Sequence, residues 1–408
     1  MSDCLTRLWN RKAVRYAILI ILSAMAALSL VQGIRNAAAF SQDFQWDAAR
    51  ALVLGADPYE ESMHPGTYPA VSAFKEYCLQ MEANQFPSLL MLLIPYTFLP
   101  PLIARYAWIV SNLIFTVGIV ILLRATFLKR ADRDLFAAFM LLMIAGTPYR
   151  NQLGVGQHTL FSFFFFLLGV WFLEREDRKV SFAGAVLALF ICYFKYTLTV
   201  PLAIYFIYKK RYPEIVISAL MHVILTGVAA WWLNDSFINM IIKPLKVSGA
   251  LAAEGGLDFG ALLNGSPAAY VLALIVMAGL FAMAVLPVKG GGREEKDADG
   301  RFISVLILWS LILTYHRTYD FFVIVTVLAF FLDKDGTVTG SGGKDEDKKG
   351  RIKRYLWPGY LLVLIAVFFV LRVFSESVPS KIAVGTIYYL FTAAVTAAAI
   401  ILRESKDG

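Results

Sequence analysis

Charged residues are scarce in this chain: 17% of its 408 residues are charged and 59% are hydrophobic. That balance excludes a soluble fold of this length, because a single buried core cannot absorb so much apolar surface. The bilayer must act as solvent. Cysteines number three and histidines four. On the topology argued below, Cys4, Cys78 and Cys192 lie in the cytoplasm, outside and within the membrane, which excludes an internal disulfide framework. No Cys or His group has metal-ligand spacing, no P-loop occurs, and no serine sits in a nucleophile elbow. These absences argue against ATPase and serine-hydrolase chemistry.

Apolar runs near the length of a membrane crossing recur from Tyr16 to Leu402 with no large polar domain between them. The expectation is an all-α polytopic integral membrane protein forming a single membrane domain over 1–408. The first run, Tyr16 to Gln32, has a basic flank but no small-x-small cleavage site before a soluble domain, and reads as a retained helix. The net charge of +8 raises the question of nucleic acid. Placement answers it. Lys and Arg gather before Tyr16 and in Arg124–Arg133, Arg175–Lys179, Lys209–Arg211, Lys289–Arg301, Lys334–Arg354 and Arg403–Lys406, which together hold 27 of the 38 basic residues. By the positive-inside rule these segments are cytoplasmic, both termini included, and nucleic acid is not an expected partner.

With both termini inside, the runs divide into about twelve crossings, the last beginning near Lys381. Phe86–Phe98 is shorter than a span and is interrupted by Pro87 and Pro95, so it reads as re-entrant or interfacial, with a thirteenth, tilted crossing as the alternative. The runs on either side of Lys195 are also short, which suggests outer ends that open into a cavity. Two outer loops are long. The first, Asn36 to Gln85, is rich in acidic residues; the second, Asn234 to Pro267, is rich in glycine and reads as a mobile segment able to order over a ligand. Lys334–Arg354 reads as a flexible cytoplasmic loop.

Asp43 and Asp47 follow the first helix and are spaced to share one helical face at the membrane surface. A carboxylate there can serve as a general base, or it can cap the amphipathic helix that Asp47 to Leu54 would form. Both readings fit the spacing. Arg150, Lys195 and Arg317 break the positive-inside pattern, lying at outer helix ends. Three cations converging from separate helices could neutralise a lipid phosphate, or each could snorkel to ordinary headgroups. His316 precedes Arg317 in YHRTYD and can meet a phosphate or an acceptor hydroxyl, whereas a lone histidine also serves in packing. Gln157 and His158, after Gly154 and Gly156, can contact sugar hydroxyls or form a helix cap with Thr159. His222 reads as structural.

Taken together, these segments resemble glycosyltransferase family 87, polytopic GT-C enzymes that include mannosyltransferases dependent on polyprenyl-phosphate mannose. The resemblance runs from Asp43 to Asp320. Its most specific element is Asp43-Phe44 followed by Gly55-Ala56-Asp57-Pro58-Tyr59; Gly156-Gln157, Lys195 with Pro201, and Tyr315 to Asp320 continue it. The family's Tyr-Pro-Pro opening after the first loop is here Phe86-Pro87-Ser88. The resemblance implies a GT-C fold, a polyprenyl-phosphate sugar donor, a lipid or glycan acceptor and an inverting, metal-free transfer on the non-cytoplasmic face of a bacterial plasma membrane, with no cofactor. It implies Asp43 as general base. It further implies Lys195, His316 and Arg317 as phosphate-stabilising residues; Gln157, Arg150, Asp47, Tyr59 and Tyr319 are the further expected substrate contacts. A polytopic lipid or glycan transporter is the competing expectation, since intramembrane charges and Gly-rich loops suit it equally.

Overall fold

A computed structural model describes residues 9–72, 82–251, 256–286, 296–333, 336–338, 348–371 and 378–404. Cys4 and Cys78, and the central part of the basic loop after Lys334, lie outside the described residues. Among those described the regular secondary structure is all helical, apart from an isolated bridge between Leu332 and Val338. The all-α polytopic expectation holds.

Local chemistry places many helix starts. Asp57, Asp132, Asp177 and Asp258 accept hydrogen bonds from the first free backbone N–H groups of the helices that follow them, which satisfies donors that the helix cannot. Proline opens several others, including Pro101–Thr126 and Pro267–Val285, where its missing N–H is not needed.

The first helices are α1 (Lys12–Ala39), α2 (Trp46–Val53) and α3 (Pro58–Met63), followed after the first outer loop by α4 (Pro101–Thr126), α5 (Arg133–Ala145) and α6 (Thr147–Val155). Next come α7 (Thr159–Leu173), α8 (Arg178–Cys192), α9 (Tyr196–Leu202), α10 (Ile204–Tyr208), α11 (Tyr212–Trp232) and α12 (Phe237–Leu251). The chain closes with α13 (Pro267–Val285), α14 (Lys296–Leu313), a 3-10 helix Thr318–Val327 leading into Leu328–Phe331, α15 (Lys348–Ile365) and α16 (Val378–Glu404).

The described helices sort by what surrounds them. α1, α11 and α13 are strongly apolar yet mostly exposed, as lipid-facing helices must be. α14 and Thr318–Phe331 are apolar and almost wholly buried, so they form the interior of the bundle. Seven described helices are long and apolar enough to cross a membrane, or eight if the bent pair α6 and α7 is one span. Twelve crossings were expected because short buried helices were counted as well. The run Arg178–Leu202 passes as one span by length, but its contacts describe an excursion. Its start adjoins Leu173, its middle meets Asp320 through Lys195, and Arg211 soon afterwards donates back to the Leu173 carbonyl. The chain goes out to Lys195 and returns.

Several ion pairs tie separate segments together. Arg15 with Asp134, Lys129 with Glu174 and Lys209 with Asp299 join segments expected on the basic face, and Gly336 accepts from the backbone of Asp132 there. Lys243 with Asp57 and Asp235 joins the two outer loops. Phe86–Phe98 is a chain of short helical pieces, Pro87–Leu90, Met91–Leu93 and Ile94–Thr97, too short to span. The second outer loop departs from the expected mobile segment, since most of its first half is α12, pinned by these ion pairs.

Candidate active site

Asp43 sits in the turn after α1. Its backbone N–H donates to Val155 at 2.8 Å, which fixes the turn against the end of α6. α6 ends at Gly156 with φ +70°, a left-handed conformation natural to glycine, and an added Cβ would crowd Ser41. Two further anchors hold the turn. Trp108 Nε1 donates to Gly156 O at 2.7 Å while its ring stacks on Phe44, and His158 Nε2 meets Phe44 O at 3.0 Å. Because a carbonyl only accepts, that contact requires the proton on Nε2. His158 is fully buried beneath the backbone, so it supports the turn and is not available to touch a sugar.

Gln157 links this turn to the late part of the chain. Its Oε1 accepts from the His158 N–H at 2.7 Å, which sets the amide orientation. Its Nε2 then donates to Asp43 Oδ2 at 3.2 Å and to the Tyr319 hydroxyl at 2.9 Å. Tyr319 in turn is a hydrogen-bond partner of Asp43. The three groups close a small ring.

Burial raises the Asp43 carboxyl above its ordinary range, while Lys195 and then Arg317 pull it back and Asp320 pushes it up. Both cations are therefore close enough to act on this carboxylate. Lys195 ends the helical run begun by α8 in a non-helical conformation, φ −102° and ψ 67°, with its N–H on Ser162 Oγ at 2.8 Å. Its ammonium lies 3.6 Å from Asp320 Oδ2 and over the Tyr319 ring at 5.5 Å. Asp320 is completely buried and accepts from His316 Nδ1 at 2.8 Å and from Thr159. One carboxylate thus holds both His316 and Lys195. Arg317 donates from Nε to the Tyr315 hydroxyl at 2.5 Å and remains partly exposed.

The second outer loop enters through Asp258, whose Oδ2 accepts from the His316 N–H at 3.1 Å. Gly256 is required there, because a Cβ would collide with the Asp258 carboxylate and the His316 carbonyl. Asp43, Gln157, Lys195, His316, Arg317 and Tyr319 therefore meet, although they come from four separate parts of the chain.

Three of the residues considered from sequence have other partners. Arg150 donates to Gln32 Oε1 on α1 at 3.0 Å. The Tyr59 hydroxyl is buried and donates to Gln85 O at 2.6 Å, holding the end of the first loop. Asp47 lies in the first turn of α2, where Oδ1 accepts from Ala48 and Oδ2 is buried without a partner; burial raises its pKa to about 7. Sequence reasoning missed the part taken by Asp320, whose signal was a second charged residue in YHRTYD, four positions after His316. It also missed Trp108, one of many aromatics in an apolar run. Among the described residues no group of three or more His, Cys, Asp or Glu could hold a metal ion.

The arrangement is a buried carboxylate with raised proton affinity beside two cations, a combination able to exchange a proton and to meet an anionic group. No curated protein and no solved structure matches the chain. A family model does, over residues 87–314, more than half of the length. It includes Gln157 and Lys195, while Asp43 and His316 flank it on either side. By that match the chain belongs to glycosyltransferase family 87 and is a membrane glycosyltransferase.

Proposed function

We propose that this enzyme moves a hexose, mannose by preference, from a polyprenyl-phosphate carrier to a lipid or glycan acceptor on the non-cytoplasmic face, with inversion at the anomeric carbon. The observation that carries this reading is the convergence of Asp43 with Lys195 and Arg317 from distant segments. Asp43 takes the proton from the acceptor hydroxyl as its oxygen bonds to the anomeric carbon. The bond from that carbon to the phosphate oxygen breaks, and the departing phosphate keeps the electron pair. Lys195 and Arg317 stabilise the charge that grows there. His316 acts through Asp320, which it hydrogen-bonds, and so positions Lys195. A lipid-borne donor supplies the sugar without a nucleotide, in keeping with a chain that has no nucleotide-binding motif.

The test is transfer from synthetic polyprenyl-phosphate mannose to extracted membrane lipids by the purified protein. Asp43→Asn keeps the backbone bond to Val155 and an acceptor for Gln157, so folding and donor binding are expected to persist. Transfer should fall roughly 100-fold or more, as for loss of a general base. Near-normal turnover by the variant would remove Asp43 from this role, and no transfer by the unaltered protein from any polyprenyl-phosphate hexose would reject the donor class.

A further inference from the structure

The second outer loop contains a helix whose surface divides into three. On α12, at 100° per residue, Met240, Pro244 and Val247 fall within an arc of about 60°, and all three are buried against the protein. Asn239, Lys243 and Lys246 fall within a second arc of about 60°. Of these, Asn239 and Lys246 are exposed, and Lys243 reaches Asp57 at 2.5 Å and Asp235 at 2.6 Å. Ile238, Ile242 and Leu245 occupy a third arc, also about 60° wide, and are 65%, 40% and 48% exposed. A helix in water has no use for that third arc, and a helix that crosses the bilayer has no use for the second. At about 22 Å, α12 is also too short to cross.

We propose that α12 is an interfacial helix, immersed along Ile238, Ile242 and Leu245 in the outer leaflet, with the lipid surface itself as the partner of that arc. The apolar arc continues the exposed apolar face of α11. α11, a helix long and apolar enough to span, exposes Leu220, Ile224 and Val228 and ends in Trp231 and Trp232, 78% and 53% exposed, immediately before α12. Exposed tryptophans at the end of a spanning helix mark the headgroup level, and α12 turns off at that level. Its amphipathic division, with lysines beside the apolar stripe, is that of helices lying in the plane of a membrane. The helix is pinned to the protein at two points: Lys243, near its middle, clamps it to Asp57, the cap of α3, and Ser248 Oγ, near its end, donates to Asn84 O at 3.2 Å. The helix therefore sets the depth at which the outer leaflet meets the first loop.

The test places single cysteines at 238, 239, 242, 245 and 246 in a chain with Cys4→Ser, Cys78→Ser and Cys192→Ala. Each is labelled with an environment-sensitive fluorophore and reconstituted into nanodiscs of phosphatidylcholine and phosphatidylglycerol. Lipids brominated on their acyl chains are expected to quench positions 238, 242 and 245 at least about twofold more than 239 and 246, with iodide in the buffer giving the reverse order. Equal quenching at all five, or iodide access at 238 and 245, would overturn the proposal. Acyl-chain quenching of 239 and 246 as strong as at 242 would do so too, since the helix would then be submerged on all sides. Hydroxyl-radical footprinting of the unaltered chain in the same nanodiscs gives a reading free of labels. Ile238, Ile242 and Leu245 should be protected relative to the exposed His64 of the first loop, and oxidation at the level of His64, after correction for intrinsic reactivity, would refute the immersion.

Discussion

Asp47 offers a test of the electrostatics in the first outer loop. Its side chain is 5% exposed, one oxygen has no partner, and burial raises its pKa from 3.8 to about 7. The folded protein then holds a proton that the unfolded chain has lost over the interval between those values. Stability must fall as pH rises through that interval and level off above it, because the unfolded state binds fewer protons there. A shift of about 3 pH units corresponds to about 4 kcal/mol in total, of which roughly 2 kcal/mol or more is lost between pH 5 and pH 7. Asp47→Asn removes the titrating group while keeping shape. The variant should gain apparent Tm over the unaltered protein by a few degrees at pH 8, with the gain shrinking towards pH 5. Intrinsic-fluorescence melts in nanodiscs from pH 5 to 8.5 give the comparison. Parallel curves across the range would show that Asp47 is ionised in the folded state, and the account of its burial would be wrong. Transfer should be reduced far less than by Asp43→Asn.

The site gives three further expectations. Lys195→Ala should weaken use of the donor by at least about tenfold, the worth of a charge-assisted contact, with partial recovery in Lys195→Arg; unchanged donor kinetics would detach Lys195 from the phosphate. Asp320→Ala strips three buried partners, His316, Lys195 and Thr159, of their carboxylate at once and should destabilise by about 3–5 kcal/mol, more than His316→Ala in thermal melts; an equal or smaller effect would deny Asp320 its place as the hub. Cysteine labelling of intact cells should reach positions in the first outer loop and in α12 but not in Lys334–Arg354, and labelling of the first loop only after permeabilisation would invert the topology.

Much of this arrangement was legible in the sequence, and for a physical reason. A charged group inside an apolar run is costly and rarely without purpose, so Lys195 and Arg317 could be picked out by depth alone. Asp43 and Gln157 stood out by their local spacing, but which of the readings open to them applied, and any part for Tyr319, was legible only through the motifs. Pairings were not. Arg150 carries the same signal as Lys195, yet it donates to Gln32, and Tyr59 lies in the most specific motif yet holds the Gln85 carbonyl. Which partner a polar group finds depends on how the helices pack, and no spacing along one helix encodes that. The twelve crossings have the same source, since a helix buried among others need not be long enough to span. α12 was hidden by the glycines around it, although Ile238, Ile242 and Leu245 already repeat at helical spacing.

The ring of Asp43, Gln157 and Tyr319 has a consequence for biosynthesis. Gln157 and Tyr319 are 162 residues apart, and His316 and Asp320 complete the cluster only after α14 is in place. A nascent chain carries Asp43 from the outset and Gln157 well before its midpoint, but gains Tyr319 only late. On the proposed roles, the site is complete only once Thr318–Val327 has packed against α6 and α14. Arrest of synthesis before Thr318, or failure of that segment to pack, should leave an embedded bundle with no catalytic centre, in place of a weakened enzyme.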